Sequence, residues 1–149
     1  MSYWRFAAMI ATSTVVMYGL MYLNTYAWED VYWSETRMWM ALIMGATMSM
    51  IMLGFMLGMY KHLGINLAIF GGSVAVLGLS LWLVRSQATV NDVDYMKAMI
   101  PHHSIAIMTS KRAQISDPRV RKLADEIVEA QEREIAEMRY LATDLEARQ

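Results

Sequence analysis

The sequence predicts an all-α membrane protein in which three transmembrane helices precede a two-helix hairpin. Three apolar runs, at about 6–28, 38–60 and 63–84, are each long enough to cross a hydrocarbon core of about 30 Å. Charge is concentrated after them, because residues 1–84 hold only three of the 13 basic and three of the 14 acidic side chains. We therefore expect a transmembrane domain at 1–85, a linker at 86–91 and a helical hairpin at 92–149.

The orientation of this domain in a membrane depends on four basic side chains. The positive-inside rule sets Arg5 and Lys61 on one side against Arg37 and Arg85 on the other, which is a tie. We favour an amino terminus inside the cell, in a bacterial inner membrane. The hairpin would then lie on the extracytoplasmic, periplasmic side.

The second apolar run is rich in methionine, and its pattern has two interpretations. Thioethers spaced along a helix could pass Cu(I) along or across a membrane, or they could fill gaps between packed helices. Packing is the interpretation we favour, since small residues such as Gly54 and Gly58 show the spacing of closely packed helices. The methionines of this run are Met38, Met40, Met44, Met48, Met50, Met52, Met56 and Met59.

The first helix of the hairpin is predicted to run from a cap at Thr89, Asn91 or Asp92 to about residue 113. It contains the stretch "MIPHHSIAIM" at residues 99–108. Proline inside a helix removes one hydrogen bond and crowds the carbonyl four residues before it. We therefore expect a kink at Pro101, beside the two histidines.

The second helix is predicted to start with Asp117 as cap and Pro118 at its first position, and to run to about residue 147. Steps of four and three from Val120 to Leu145 trace a seam typical of helices that face a partner helix. Gln131 and Glu134 interrupt this seam, and burying them costs free energy unless they are paired.

A helical wheel brings the candidate ligands together. At 100° per residue, Met96, Met99, His102 and His103 fall within an arc of about 120° on the first helix. Glu134 and Met138 lie on the seam of the second helix. Two helices alone bury too small a core, so we expect a homo-oligomer, a dimer or higher, that completes a four-helix bundle.

The stretches "DYMKAMIPHHSIAIM" and "LADEIVEAQEREIAEMRYL" resemble the domain of unknown function 305 family. The resemblance implies a ferritin-like helical bundle, an extracytoplasmic location and a link to copper binding and copper tolerance. Two features depart from the family pattern, namely the added membrane helices and the single helix pair. The matching positions are Asp94, Met99, His102, His103, Ala106, Ile107, Met108, Gln131, Glu134, Ile135 and Met138.

Chemistry also favours copper, because imidazole binds several transition metals whereas thioether sulfur selects soft ions, chiefly Cu(I). We rank His103, His102 and Met99 first as ligands, then Met96 and Met138. Glu134 would orient a histidine or bind a harder ion. The alternative is that the histidines are surface or capping residues, that the methionines form core, and that the polar seam residues fix the register of a bundle.

These observations lead to an expected function of copper storage, buffering or handover by a membrane-anchored protein, with an unknown copper-handling protein as partner. A structural protein whose hairpin mediates assembly is the first alternative, and a copper transport subunit is the second. No nucleophile–base pair stands out, so we expect no enzyme. A net charge of −1 gives no reason to expect nucleic acid, whereas membrane lipid is an expected partner.

Overall fold

The computed structural model describes residues 2–148, and within that range the chain is helical without any strand. The prediction of an all-α fold is therefore confirmed for this part of the chain. The helices are α1 (Tyr3–Leu20), α2 (Glu35–Phe55), α3 (Leu63–Ser86), α4 (Asp92–Arg112) and α5 (Pro118–Ala147), with a 3-10 turn at Trp28–Asp30.

The chain forms two compact units whose boundary differs from the sequence order. The first unit contains α1, α2 and α3. The second contains α4 and α5 together with residues 22–35, the segment that connects α1 to α2. Residues 22–35 thus belong to the same compact unit as the hairpin, although they are far from it in the sequence.

The expected number of membrane spans has to be corrected from three to two. By length and composition, α2 and α3 are the described helices that could cross a membrane. Helix α1 has only 18 residues and ends at Leu20, well short of residue 28. It also carries Arg5 near its start and the polar run "TST" in its middle, which lower its apolar character.

Close packing in the first unit occurs where α1 meets α2. A Cβ atom added to Gly45 would lie 2.3 Å from Oγ1 of Thr14, so only glycine allows this approach. A Cβ at Gly54 or Gly58 would meet no other atom within 4 Å. Close helix contact therefore lies about two and a half turns before Gly54 and about three and a half turns before Gly58, the glycines on which the sequence prediction rested.

Hydrogen bonds fix the turn between α2 and α3 in the same unit. The Asn66 side chain donates to the carbonyl oxygen of Tyr60 at 2.7 Å, and the Tyr3 hydroxyl donates to the Asn66 side-chain oxygen at 2.9 Å. Phe6, Leu53 and Tyr60 form a buried cluster beside these bonds. A buried amide with both of its groups paired costs little free energy, and here it joins α1 and α3 to the turn that follows α2.

Most of the apolar surface of α2 and α3 faces outward. Only 28% of the apolar stretch of α2 and 11% of the apolar stretch of α3 is buried by the rest of the protein. Met44, Met48 and Met52 line one shallow groove of about 460 Å³ on the surface of α2. Met44 is exposed, whereas Met48 and Met52 are half-buried, and Met52 also packs against the buried cluster described above.

The two helices of the hairpin begin at the predicted caps. Asn91 accepts a hydrogen bond from the Asp94 amide at 2.9 Å, and Asp117 accepts one from the Arg119 amide at 2.8 Å. Pro118 occupies the first position of α5, where its missing N–H has no cost. Helix α4 continues through Pro101, which is fully buried.

The hairpin core is apolar and reaches the segment at 22–35. Ile100, Ile107 and Ile135 form one buried cluster, against which Tyr32 from that segment packs. A second cluster joins Met96 to neighbours on both helices and is extended by Met138. This core fixes which faces of α4 and α5 remain available for a site.

Candidate functional site

A groove of about 440 Å³ runs along one side of the hairpin, between α4 and α5. It collects four of the six predicted site residues, Met96, His103, Glu134 and Met138. Asp92, Tyr95, Glu137 and Leu141 complete its lining. Three carboxyl groups in one groove give it a negative potential, which attracts cations.

His103 is held with its ring in one orientation. Its Nδ1 lies 2.9 Å from the carbonyl oxygen of Met99, and a carbonyl oxygen can only accept, so Nδ1 carries a hydrogen. Its Nε2 lies 2.9 Å from Oε2 of Glu134. This is a hydrogen-bonding distance, so an ion that binds Nε2 would have to displace the Glu134 oxygen or contact both atoms from the side of the groove.

Two thioether side chains flank this pair. Met96 is buried, and Met138 packs against the cluster to which Met96 belongs. Both line the same groove as His103. One imidazole, one carboxylate and two thioethers form a mixed donor set, and the thioethers favour a soft ion.

The two remaining predicted ligands lie differently. His102 is exposed on α4 and is not part of the groove lining. Met99 is half-buried, and its contribution to the site is the backbone carbonyl that orients His103. The structure therefore brings His103 together with Met96, Met138 and Glu134, and leaves His102 and the Met99 thioether outside that group.

A buried polar network supports α4 on the flank opposite the groove. Ser104, which follows His103 and is 0% exposed, donates to Oδ2 of Asp30 at 2.5 Å. The Tyr26 amide donates to the Ser104 oxygen at 2.9 Å, and Arg139 pairs with the other Asp30 oxygen. The network ties residues 22–35 to both helices of the hairpin.

Sequence reasoning missed both the extra lining residues and this network. Asp92 and Tyr95 fall on the same arc of α4 as Met96 and His103, so the helical wheel contained a signal for them. Asp30 had only a weak signal, as one of three acidic residues before position 85. Its partner Arg139 lies 109 residues further along the chain, and local sequence patterns give no information about contacts at such a separation.

Among residues 2–148, no group of three or more histidine, aspartate or glutamate side chains is placed to hold a metal ion. The groove contains one histidine with one carboxylate in direct contact. Any metal bound there would therefore need sulfur donors from Met96 and Met138, or donors from another molecule.

Comparison with known proteins identifies the hairpin region. The family model described as Domain of unknown function (DUF305) matches residues 82–145. Uncharacterized protein L153 of Acanthamoeba polyphaga mimivirus is 35% identical over 98 residues, which cover 61% of this chain and 64% of the viral protein. This chain thus spans slightly less than two thirds of that relative's length. No solved structure matches the chain. The matched segment contains α4 and nearly all of α5, and it supports assignment of this part of the chain to the DUF305 family.

Proposed function

We propose that this protein is anchored in a membrane by α2 and α3 and holds a soft metal ion, copper(I) by preference, in the groove of its hairpin. The observation that carries the proposal is the placement of His103. The Met99 carbonyl holds its Nδ1, its Nε2 lies beside the Glu134 carboxylate in the groove, and two thioethers line the same groove.

The donor set fits this role better than it fits a hard ion. His103 would supply nitrogen, while Met96 and Met138 would supply sulfur, which Cu(I) accepts more readily than Mg²⁺ or Ca²⁺ do. Glu134 would hold the imidazole in place or add an oxygen donor, and the Met99 carbonyl would fix the ring from its other nitrogen. Silver(I) would be able to replace copper(I).

Storage, buffering or handover is the proposed use of the site. The groove is open along one side of the hairpin, so an ion could be passed to a second copper-handling protein without passing through the protein interior. The outward apolar surfaces of α2 and α3 support a membrane anchor. We further propose that the hairpin lies on the extracytoplasmic side.

The decisive experiment is a Cu(I) titration of the purified full-length protein in detergent against a competing chelator. His103→Ala should weaken binding about a hundredfold or more, because it removes the nitrogen donor. Glu134→Gln should weaken it about tenfold, and Met96→Leu and Met138→Leu should each weaken it with little change in packing.

His62→Ala is the matched control, since His62 is exposed in the turn before α3 and belongs to the other unit. It should bind copper as the unaltered protein does. The double variant His102→Ala/His103→Ala should lose no more affinity than His103→Ala alone. Equal binding by the unaltered protein and the double variant would refute the proposed site.

A structural or assembly protein is the first alternative, and exposed apolar residues on α5 favour it. Leu123 is 56% exposed and Val120 is 48% exposed. If assembly is the only function, neither the unaltered protein nor the variant that lacks both histidines should show a metal-dependent change. A metal-dependent change that the double variant lacks would exclude this alternative.

Copper transport along α2 is the second alternative, favoured by the shared groove of Met44, Met48 and Met52. Changing all three to leucine keeps volume and apolar character. Transport of Cu(I) into sealed vesicles should stop if the thioethers form the route. Unchanged transport by the triple variant would exclude that route.

A further inference from the structure

The hairpin has one face that the chain itself covers and one that it leaves open. Ser104 and Arg139 lie on the covered face, where they bind Asp30 of the segment at 22–35. His103 and Glu134 lie on the opposite flank, along the open groove. Within the second unit, nothing that the structure describes covers this open face.

The open face continues along α5 as an apolar stripe. Its exposed members are Val120, Leu123, Ile127 and Leu141, which are between 37% and 56% exposed. Their spacing of three, four and fourteen residues keeps them on one side of a helix. A stripe of this length is typical of a helix that packs against another helix.

Charge along one edge of this stripe identifies the partner helix. The edge carries Lys122 and Glu126 before Ala130, and Arg133 and Glu137 after it. When this order of charges is read from the other end, each sign is reversed, so two antiparallel copies of the helix place opposite charges side by side.

We propose that two copies of this chain pair through α5 in antiparallel orientation, with Ala130 at the centre. This arrangement sets Lys122 against Glu137 of the second copy and Glu126 against Arg133 of the second copy. A parallel pair in register would set each charge against itself, which is destabilising. The apolar positions agree, because Val120 then faces Leu141 of the second copy.

The pairing would complete the groove. Glu134 lies four residues after the centre and Ile127 three residues before it, so Ile127 of the second copy lies within about one residue of the level of Glu134 and its partner His103. An apolar cover excludes water from a metal site and strengthens the interaction of its donors with the ion. The role of this cover rests on the proposed metal function, whereas the pairing itself does not.

Cysteine cross-linking tests the orientation directly, because the natural chain has no cysteine. The full-length double variant Val120→Cys/Leu141→Cys, oxidised in detergent with a metal chelator present, should give a covalent dimer. Each single variant should stay uncross-linked, since in an antiparallel pair the two copies of either residue are about 30 Å apart along the helix axis. That distance also prevents a link within one helix.

Asp125→Cys is the control, because Asp125 is exposed on the side of α5 away from the stripe and should not cross-link. Dimers formed by the single variants would show a parallel pair, and absence of dimers in the double variant would show that α5 does not pair. Either result overturns the proposal. Because the chelator removes copper, the result does not depend on whether the groove binds metal.

A charge exchange provides a second, independent measurement. Glu126→Lys should raise the dissociation constant of the dimer about tenfold, since two attractive pairs become repulsive. The double variant Glu126→Lys/Arg133→Glu should restore the original value in an antiparallel pair. Failure of the second change to restore pairing, with helix content unchanged, would contradict the antiparallel orientation.

Discussion

Asp30 joins both helices of the hairpin to the segment at 22–35. It is 4% exposed and accepts hydrogen bonds from Ser104 and Arg139, which belong to different helices. Asp30→Asn removes the charge that Arg139 faces in a buried setting. We expect a loss of about 2 kcal/mol and a fall of about 5 °C in the thermal midpoint, measured by circular dichroism in detergent.

The neighbouring acidic residue supplies the control for this change. Glu29 is exposed, so Glu29→Gln should leave the midpoint within about 1 °C. If Glu29→Gln lowered the midpoint as much as Asp30→Asn, general charge rather than the buried network would be responsible.

Between α1 and α2, helix contact depends on Gly45. Gly45→Ala would bring its Cβ within 2.3 Å of the Thr14 oxygen, so α1 has to shift, and we expect a loss of about 2 kcal/mol in detergent. Thr14→Ala in the same chain should recover about half of this loss, because two of the three close atoms are removed. Gly54→Ala, with open space around it, should be neutral or stabilising.

The start of α5 has a pH dependence that follows from Asp117. Hydrogen bonds from the Arg119 side chain, and then from its amide, hold the pKa of Asp117 below its ordinary value of 3.8. The folded state therefore favours the carboxylate, and its contribution to stability is present above the unfolded pKa and is lost as pH falls through the lower folded pKa. The stability difference between the unaltered protein and Asp117→Asn should be constant above about pH 5 and shrink below about pH 4.

Thermal midpoints of both proteins, measured at evenly spaced values between about pH 2 and pH 7, would reveal this change in the stability difference. A difference that stayed the same across the whole range would mean that the charge of Asp117 does not support the cap. Asn91→Ala provides a comparison at the other cap, because Asn91 does not titrate and its effect should be independent of pH.

Helices α4 and α5 could be predicted from sequence because their signals are local. Caps lie within three residues of the amides that they bind, and apolar spacing repeats every turn. The membership of Met96, His103, Glu134 and Met138 in one groove could also be inferred from helix periodicity. The separation of His102 from that group could not be inferred. A helical wheel shows which way each side chain of α4 points, but it does not show which of them α5 contacts.

Over the whole molecule, the errors arise where local signals compete with distant partners. Residues 21–28 are apolar and aromatic enough to extend α1, yet the Tyr26 amide bonds to Ser104 and Tyr32 packs on the hairpin core. Tertiary contacts over 70 or more residues thus decide the end of α1. The ferritin-like bundle, the oligomer and the copper site remain predictions, since they require a second molecule or an ion.

The arrangement of the chain across a membrane can be tested with the same cysteine-free background. The start of α2 and the end of α3 lie together, since Thr36 donates to the Gln87 side chain at 3.4 Å. Segments attached there should share one side of the membrane, and the turn between the two helices should lie on the other.

With a membrane-impermeant maleimide, Glu29→Cys and Asp125→Cys should be labelled from outside intact cells. Lys61→Cys should be labelled only after the membrane is opened. Labelling of all three from outside would show that α2 and α3 do not cross, whereas outside labelling of Lys61→Cys alone would reverse the orientation and place the groove in the cytoplasm.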